Sequence, residues 1–401
     1  MKNVLFVGRY YSPKILDLIG KSSKGNPGYS THNYEMAAIN GLSSFNDVDV
    51  RSITSPSIFS FPHNNNRFFT PSDVFRIENV ECRSIGFCNL VLLNKIWSFI
   101  ATTMAILREV RKFEGKEVNV ICNLASSARA VKWAQKLSSK TIRTTFMLLD
   151  IPQMVSNMNK MNPIKHYLVK RMNRGKMEIA SNSDHLILMT EQMMDFISKP
   201  IDHVVIEGWI DPKLTHFENK EVSNKRVILY AGTLRRVFGI MNLVEAFSYI
   251  KDSDVELWIC GSGDAEEDIR KCALKDSRIK LLGLLPAEKA RCIQQTATIL
   301  VNPRTSEGDY TRYSFPSKTL EYLLSGRPAI VYRLPGMPDE YLNYLYVPEE
   351  ETVEGLAKKI QDVLSFDSKE REARAMAGRD FVIKYKTPEA QMQKVYNMLF
   401  K

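Results

Sequence analysis

The chain has 401 residues, 44% hydrophobic and 25% charged, with no low-complexity tract; this excludes a disordered or fibrous protein and exceeds the roughly 100 to 200 residues of a typical single domain. The net charge of +10 lies entirely in the first half, where residues 1–206 hold 26 Lys+Arg against 16 Asp+Glu, while 207–401 hold 29 against 29. Such asymmetry points to an anionic partner for the first half, either membrane phospholipid or nucleic acid, with a solvated basic face as the plainer alternative.

Six cysteines show no C-x-x-C pair, and several stand in apolar runs where a reduced thiol acts as a small hydrophobe, so a reducing cytoplasm is expected. The opening Met1-Lys2-Asn3-Val4-Leu5-Phe6-Val7 is too short for a signal peptide and reads as a strand. The longest apolar piece, Ile96–Leu107, falls short of the roughly 20 residues that span a bilayer.

Strand-like and helix-like runs alternate from the start: strand Val4–Val7, helix Thr31–Leu42, strand Val48–Ile53, a polar loop through Asn64-Asn65-Asn66, then a long helix Leu92–Phe113. Strands Val118–Cys122 and Thr144–Leu149 follow, around a helix Ala128–Leu137. Alternation of this kind predicts a parallel sheet covered on both faces, with ligands at the carboxyl ends of its strands. Three pieces fall at that edge. The loop Gly25-Asn26-Pro27-Gly28-Tyr29-Ser30 permits close approach of a substrate to the backbone, or is a flexible surface loop. Asp150 follows a strand directly and belongs at the mouth of a cleft, or caps the next segment. The helix Pro163–Ile179, with Lys165, Lys170, Arg171, Arg174 and Lys176 among apolar residues, suits anionic headgroups or a solvated face.

Strands at His185–Met189 and His203–Ile206 complete residues 1–206 as a first domain, and Glu207-Gly208-Trp209-Ile210-Asp211-Pro212 breaks the pattern. The alternation restarts in a second domain, 207–385, and a terminal helix, 386–401, is expected to cross back onto the first. In the second domain the strand Val227–Tyr230 runs into a loop where Gly232 and Gly239 bracket Arg235 and Arg236, two guanidinium groups at a strand end where a diphosphate can be clamped. Val255–Cys260 leads to Gly261-Ser262-Gly263. Ile299–Val301 leads through Arg304 to Ser317, Lys318 and Glu321 on a short helix that Pro316 is expected to open. The first N–H groups of that helix, the Lys318 charge and the Glu321 carboxylate one turn on suit a phosphate beside a ribose diol, the alternative being a helix end with surface charges.

Other motifs fall away. Gly261-x-Gly263 has Glu266 where a dinucleotide fingerprint needs its third glycine, and Asp252-x-Asp254 precedes its strand and reads as a turn. The histidines show no metal-ligand spacing, and neither Gly-x-Ser-x-Gly nor a P-loop is present. The basic half has no interleaved aromatic platform for nucleic acid.

With these loops in register the chain resembles a GT-B glycosyltransferase of family 4, of the type in bacterial capsule, exopolysaccharide and O-antigen synthesis. The pieces that carry the resemblance are Tyr230-Ala231-Gly232-Thr233-Leu234, Phe238-Gly239-Ile240, Tyr313–Tyr322 and Leu334–Tyr341. It implies an α/β fold of two Rossmann-like, doubly wound parallel-sheet domains facing a cleft, with the acceptor on the first domain and the nucleotide-sugar donor on the second. On this reading Asp150, Arg235 and Lys318 are catalytic. Gly232, Thr233, Arg236, Gly239, Gly261, Gly263, Arg304, Tyr313, Ser314, Ser317 and Glu321 bind the donor, and Gly28, Tyr29 and Ser30 the acceptor.

Two glutamates eight positions apart mark the family; Glu321 matches the second, and Tyr313 stands at the first. Thr233 and Phe238 stand where members often carry Arg and Lys, leaving Arg235, Arg236, Arg304 and Lys318 to carry the diphosphate charge. The resemblance further implies retention of anomeric configuration with no metal and no cofactor beyond the nucleotide sugar as substrate, a lipid-linked saccharide acceptor, no nucleic acid, and a peripheral place on the inner face of the cell membrane. Two rivals remain: a nucleotide-sugar 2-epimerase of the same fold, and a degenerate binding subunit.

Overall fold

A computed structural model describes residues 1–23, 29–56, 58, 60–62, 65–151, 162–215 and 225–401. They fall into two units, residues 1–206 with 388–401, and residues 207–387.

The first unit is built on an eight-stranded sheet in the order β10-β9-β8-β7-β1-β2-β5-β4. Its strands are β1 (Lys2–Gly8), β2 (Val48–Thr54), β4 (Asp73–Ile77), β5 (Val80–Ser84), β7 (Glu117–Cys122), β8 (Thr141–Leu148), β9 (His185–Leu188) and β10 (Asp202–Val205), while β3 (Phe69–Thr70) and β6 (Phe87–Cys88) form a separate small ribbon. All sheet pairs are parallel except the edge pair of β4 with β5. The central strands are buried on both faces, which is why Val4–Val7 reads as an unbroken apolar run and Val118–Cys122 as one interrupted only by Asn119. The β4–β5 edge instead alternates exposed and buried residues, as one-sided antiparallel strands do.

Helices α1 (Pro13–Ser22), α2 (Tyr29–Ser43), α3 (Val91–Lys112), α4 (Ala125–Leu137) and α5 (Pro163–Ser181) connect these strands. The α1 helix, absent from the sequence reading, opens on Ser12, whose hydroxyl accepts from the Ile15 N–H, with Pro13 in the first turn. Tyr29 and Ser30 belong to the first turn of α2 rather than to the preceding loop, and Gly28 lies outside the described residues.

The second unit has a five-stranded, all-parallel sheet in the order β13-β12-β11-β14-β15. Its strands are β11 (Arg226–Ala231), β12 (Val255–Cys260), β13 (Ile279–Gly283), β14 (Ile299–Asn302) and β15 (Ala329–Val331). Its helices are α6 (Ile240–Ser248), α7 (Glu266–Lys275), α8 (Ala287–Thr296), α9 (Ser317–Leu324), α10 (Val353–Ser365) and α11 (Ser368–Tyr385). One core runs from Ile228, Leu257 and Ile299 on the strands to Leu243, Phe247 and Ile360 on the helices.

The last helix, α12 (Pro388–Leu399), belongs to the first unit and lies against α2. Gly41 permits this contact, since a Cβ there would fall 2.4 Å from the Pro388 carbonyl oxygen. Tyr396 is held between Asp47, which accepts its hydroxyl at 2.6 Å, and Lys2.

The ends of the second unit are tied to each other. Lys386 is fully buried and pairs with Glu207, itself fully buried, and with Glu340 at 2.6 Å. The Tyr341 hydroxyl donates to Glu207 at 2.6 Å, and the Ile210 N–H donates to the Lys386 carbonyl at 2.8 Å. Burial pushes the Glu207 carboxyl up, but the Lys386 charge and the two hydrogen bonds outweigh it and hold the group below the ordinary carboxylate range.

Candidate functional site

In the second unit the chain moves outward from β11 through β12 to β13, then returns to the other side of β11 with β14. The strand order therefore reverses between β11 and β14, and a crevice opens at their carboxyl ends. A cavity of about 200 Å³ occupies that place, lined by Tyr230 of β11 and Thr233 after it, Asn302 and Arg304 at the end of β14, and Phe315 to Lys318 at the start of α9, with Phe238 beside them.

The β11 loop is fastened from behind. Gly232 N–H donates to the Cys260 carbonyl at 2.8 Å and Leu234 N–H to the Ser262 carbonyl at 2.9 Å. These approaches require Gly261 and Gly263, whose added Cβ atoms would fall 1.7 Å from the Gly232 oxygen and 2.2 Å from the Leu234 oxygen. Both glycines thus shape the loop from its far side. Gly239, at φ +75°, ends the loop close against the Pro303 carbonyl. Tyr322, fully buried on α9, accepts the Ala231 N–H at 3.2 Å, and Tyr230 donates to the Thr233 carbonyl at 2.8 Å.

The cations gather around one aromatic ring. Arg235 and Arg304 each lie 5.4 Å from the centre of the Phe238 ring. Arg304 also covers Tyr310 at 4.9 Å and donates to the Ser314 hydroxyl at 2.9 Å, while its buried Nε has no acceptor among the described residues. The stem of Lys318 passes over Gly232, where a Cβ would fall 2.3 Å from its Cε, and its ammonium lies 3.9 Å from the Glu321 carboxylate. Helix α9 begins at Ser317, with Pro316 as the extended cap residue (φ −72°, ψ 109°) rather than the first helical residue expected. The N–H groups of its first turn add partial positive charge at the same end. Side-chain cations and a helix N-terminus thus meet at a cavity of about 200 Å³ with aromatic walls, an arrangement whose charge and N–H groups suit an anion such as a diphosphate.

Of the residues expected at the donor, Thr233, Arg304 and Ser317 line the cavity with Lys318, expected as catalytic; Gly232 and Gly239 set its backbone, and Ser314 and the expected catalytic Arg235 reach its wall through Arg304 and Phe238. Arg236 turns elsewhere: its guanidinium pairs with Asp268 on α7 and its N–H donates to Asp264 at 2.9 Å. Tyr313 carries the Arg312 guanidinium 5.9 Å above its ring. Tyr230, Asn302, Phe238 and Phe315 line the cavity without having been picked out as ligands from the sequence, though Asn302 occupies a strand end directly before Pro303-Arg304.

The first unit has a switch point of its own, between β1 and β7. Glu35 of α2 is buried there, accepting the Arg9 and Tyr10 N–H groups at 2.7 and 2.9 Å and the Asn123 amide. Burial pushes its carboxyl up to about 6, against hydrogen bonds that pull it down. The folded form therefore holds this proton more tightly than the unfolded chain, and the contribution of Glu35 to stability falls as pH rises from 4.5 to about 6. Glu35→Gln is expected to remove that slope, worth about 2 kcal/mol. Urea midpoints of the two proteins across this interval check it, and parallel curves would contradict it. Asp150, which follows β8, is paired with Lys176 of α5.

Residues 225–365 match the family model described as glycosyl transferases group 1. The whole chain is similar in structure to sucrose-phosphate synthase from Thermosynechococcus elongatus, with a TM-score of 0.62 at 16% identity, covering 100% of this chain and 99% of that one. The fold is GT-B. Other GT-B structures align over the same extent: Anabaena HepE in complex with UDP (TM-score 0.60, 14% identity, 100% and 99% covered) and the E. coli trehalose-6-phosphate structure bound with UDP-2-fluoro glucose (TM-score 0.62, 10% identity, 100% and 99% covered). No curated protein sequence matches the chain significantly.

Proposed function

We propose that the protein is a retaining, metal-independent glycosyltransferase of the family 4 type, moving a sugar from a nucleotide-sugar donor to a lipid-linked saccharide in cell-surface polysaccharide synthesis. The observation that carries this reading is the meeting of Arg304 and Lys318 at the α9 N-terminus, with Arg235 over the Phe238 ring of the same cavity, at the second unit's switch point. The Ser317 and Lys318 N–H groups and the Lys318 ammonium hold the diphosphate, and the guanidinium groups neutralise the charge that grows on it as the glycosidic bond breaks. Glu321 accepts from the ribose hydroxyls. The acceptor hydroxyl loses its proton to the donor's own phosphate on the face from which the bond leaves, so the protein supplies position and charge rather than a nucleophile. The solved relatives' complexes with UDP and UDP-2-fluoro glucose support a nucleotide sugar as donor.

The acceptor belongs to the first unit, whose switch point is framed by Glu35, Arg9 and Asn123. A peripheral place on the inner face of the cell membrane fits the basic surplus of residues 1–206, and among the described residues no helix is long and apolar enough to cross a membrane. Glu321→Ala is expected to weaken nucleoside diphosphate binding by about tenfold to a hundredfold. Its carboxylate is half exposed, so the melting temperature of the ligand-free protein stays unchanged. Calorimetric titration checks this, and unaltered affinity would remove the ribose role.

A further inference from the structure

Helix α3 carries an exposed apolar stripe that no other described part of its unit covers: Leu93, Ile96, Trp97, Ile100 and Met104, each more than half exposed. The spacing of 3, 4, 7 and 11 residues from Leu93 places them along one side of the helix. Helix α4 continues the surface, because Phe99 of α3 meets Trp133 of α4 edge to face at 6.3 Å, and Trp133 and Leu137 are themselves more than half exposed. Chain direction places both helices on the sheet face opposite α2 and α12.

The exposed charges on these two helices are of one sign. Lys95, Arg108 and Arg111 are exposed on α3, and Arg129, Lys132 and Lys136 on α4. Helix α4 has no acidic residue, and the single one on α3, Glu109, is buried and paired with Arg83 and Lys112. Trp97 is anchored by its indole N–H to the Gly86 carbonyl at 2.9 Å with 54% of its surface still open, and Lys136 sits 5.7 Å from the centre of the Trp133 ring. Half-exposed tryptophans, one of them hydrogen-bonded, beside aliphatic side chains and exposed cations match the layering of an anionic bilayer, where indoles rest at the headgroup level and bases meet lipid phosphates.

We infer that the α3–α4 face is the membrane-docking surface, seated in the headgroup region of an anionic bilayer through Ile96, Trp97, Ile100 and Trp133. This deepens the peripheral placement proposed above and locates it on a surface other than the basic helix α5. The experiment is flotation of the intact protein with phosphatidylcholine vesicles and with mixed phosphatidylcholine–phosphatidylglycerol vesicles. The protein is expected to float with the mixed vesicles alone, with Trp fluorescence shifted to the blue and quenched by brominated lipid; Trp97→Phe and Trp133→Phe each remove part of that quenching. Ile96→Glu/Ile100→Glu abolishes flotation, and Lys132→Ser or Lys136→Ser weakens partition roughly fivefold each. Flotation untouched by these changes, or a dimer in sedimentation that the glutamates dissolve, would overturn the inference in favour of α5 or of a second copy. Nucleoside diphosphate affinity is read on the same variants: retained affinity with lost flotation separates this face from the donor site.

Discussion

Lys318→Ala is expected to lower the rate of sugar transfer by roughly 10²- to 10³-fold, the cost of losing one preorganised charge at the leaving group. The side chain is part-exposed, and its stem rests on Gly232 rather than in the core. Its removal therefore leaves no buried group without a partner, and the melting temperature should not move. Lys318→Arg should recover little, because a guanidinium is longer and planar where a compact ammonium passes over the Gly232 backbone. The check is release of nucleoside diphosphate from the donor in wild type and variants, beside a melting curve. A loss of activity matched by a loss of stability would assign Lys318 to the fold instead.

Lys386→Met is expected to act on stability alone. It removes the ammonium from beside the Glu207 carboxylate, which is fully buried and keeps the Tyr341 hydroxyl among its donors. Breaking one side of a buried pair costs on the order of 3–5 kcal/mol, a large part of a typical domain's stability. Glu207→Leu combined with Lys386→Met should restore most of the loss, since no charge is then left buried. Denaturant unfolding followed through Trp209 and Trp258, in a background with Trp97 and Trp133 replaced by Phe, confines the readout to the second unit. The pair also fixes an acid limit. The Glu207 carboxyl is held below its ordinary range, so its stabilisation is complete above that range and is lost as pH falls through the depressed value.

What the sequence makes legible follows from where each signal resides. Parallel strands buried on both faces appear as local apolar runs, so β1, β7, β11 and β14 stand at the expected places, and α9 follows its strand as read. The ribbon β3–β6 and the edge strands β4 and β5 escape notice because half their residues face solvent and dilute the pattern. Helix α1 was within reach, since Ser12-Pro13 is a cap followed by a proline in the first turn.

At the site, Lys318 and Arg304 could be placed by strand-end position alone. The opposite fates of Arg235 and Arg236 could not: one lies on Phe238 and the other pairs with Asp268, and that division depends on where α7 packs. Glu35 is a lone acid in a helical run, and only its distant partners, Arg9, Tyr10 and Asn123, mark it as buried.

The central claim is that one nucleoside diphosphate is held at the α9 N-terminus by the groups around Phe238. A crystal structure with a nucleoside diphosphate bound tests it most directly. Phosphate oxygens are expected within hydrogen-bonding distance of the Ser317 and Lys318 N–H groups and of the Arg304 guanidinium, with the ribose against Glu321. A nucleotide bound elsewhere on the chain, leaving these groups in solvent, would contradict it.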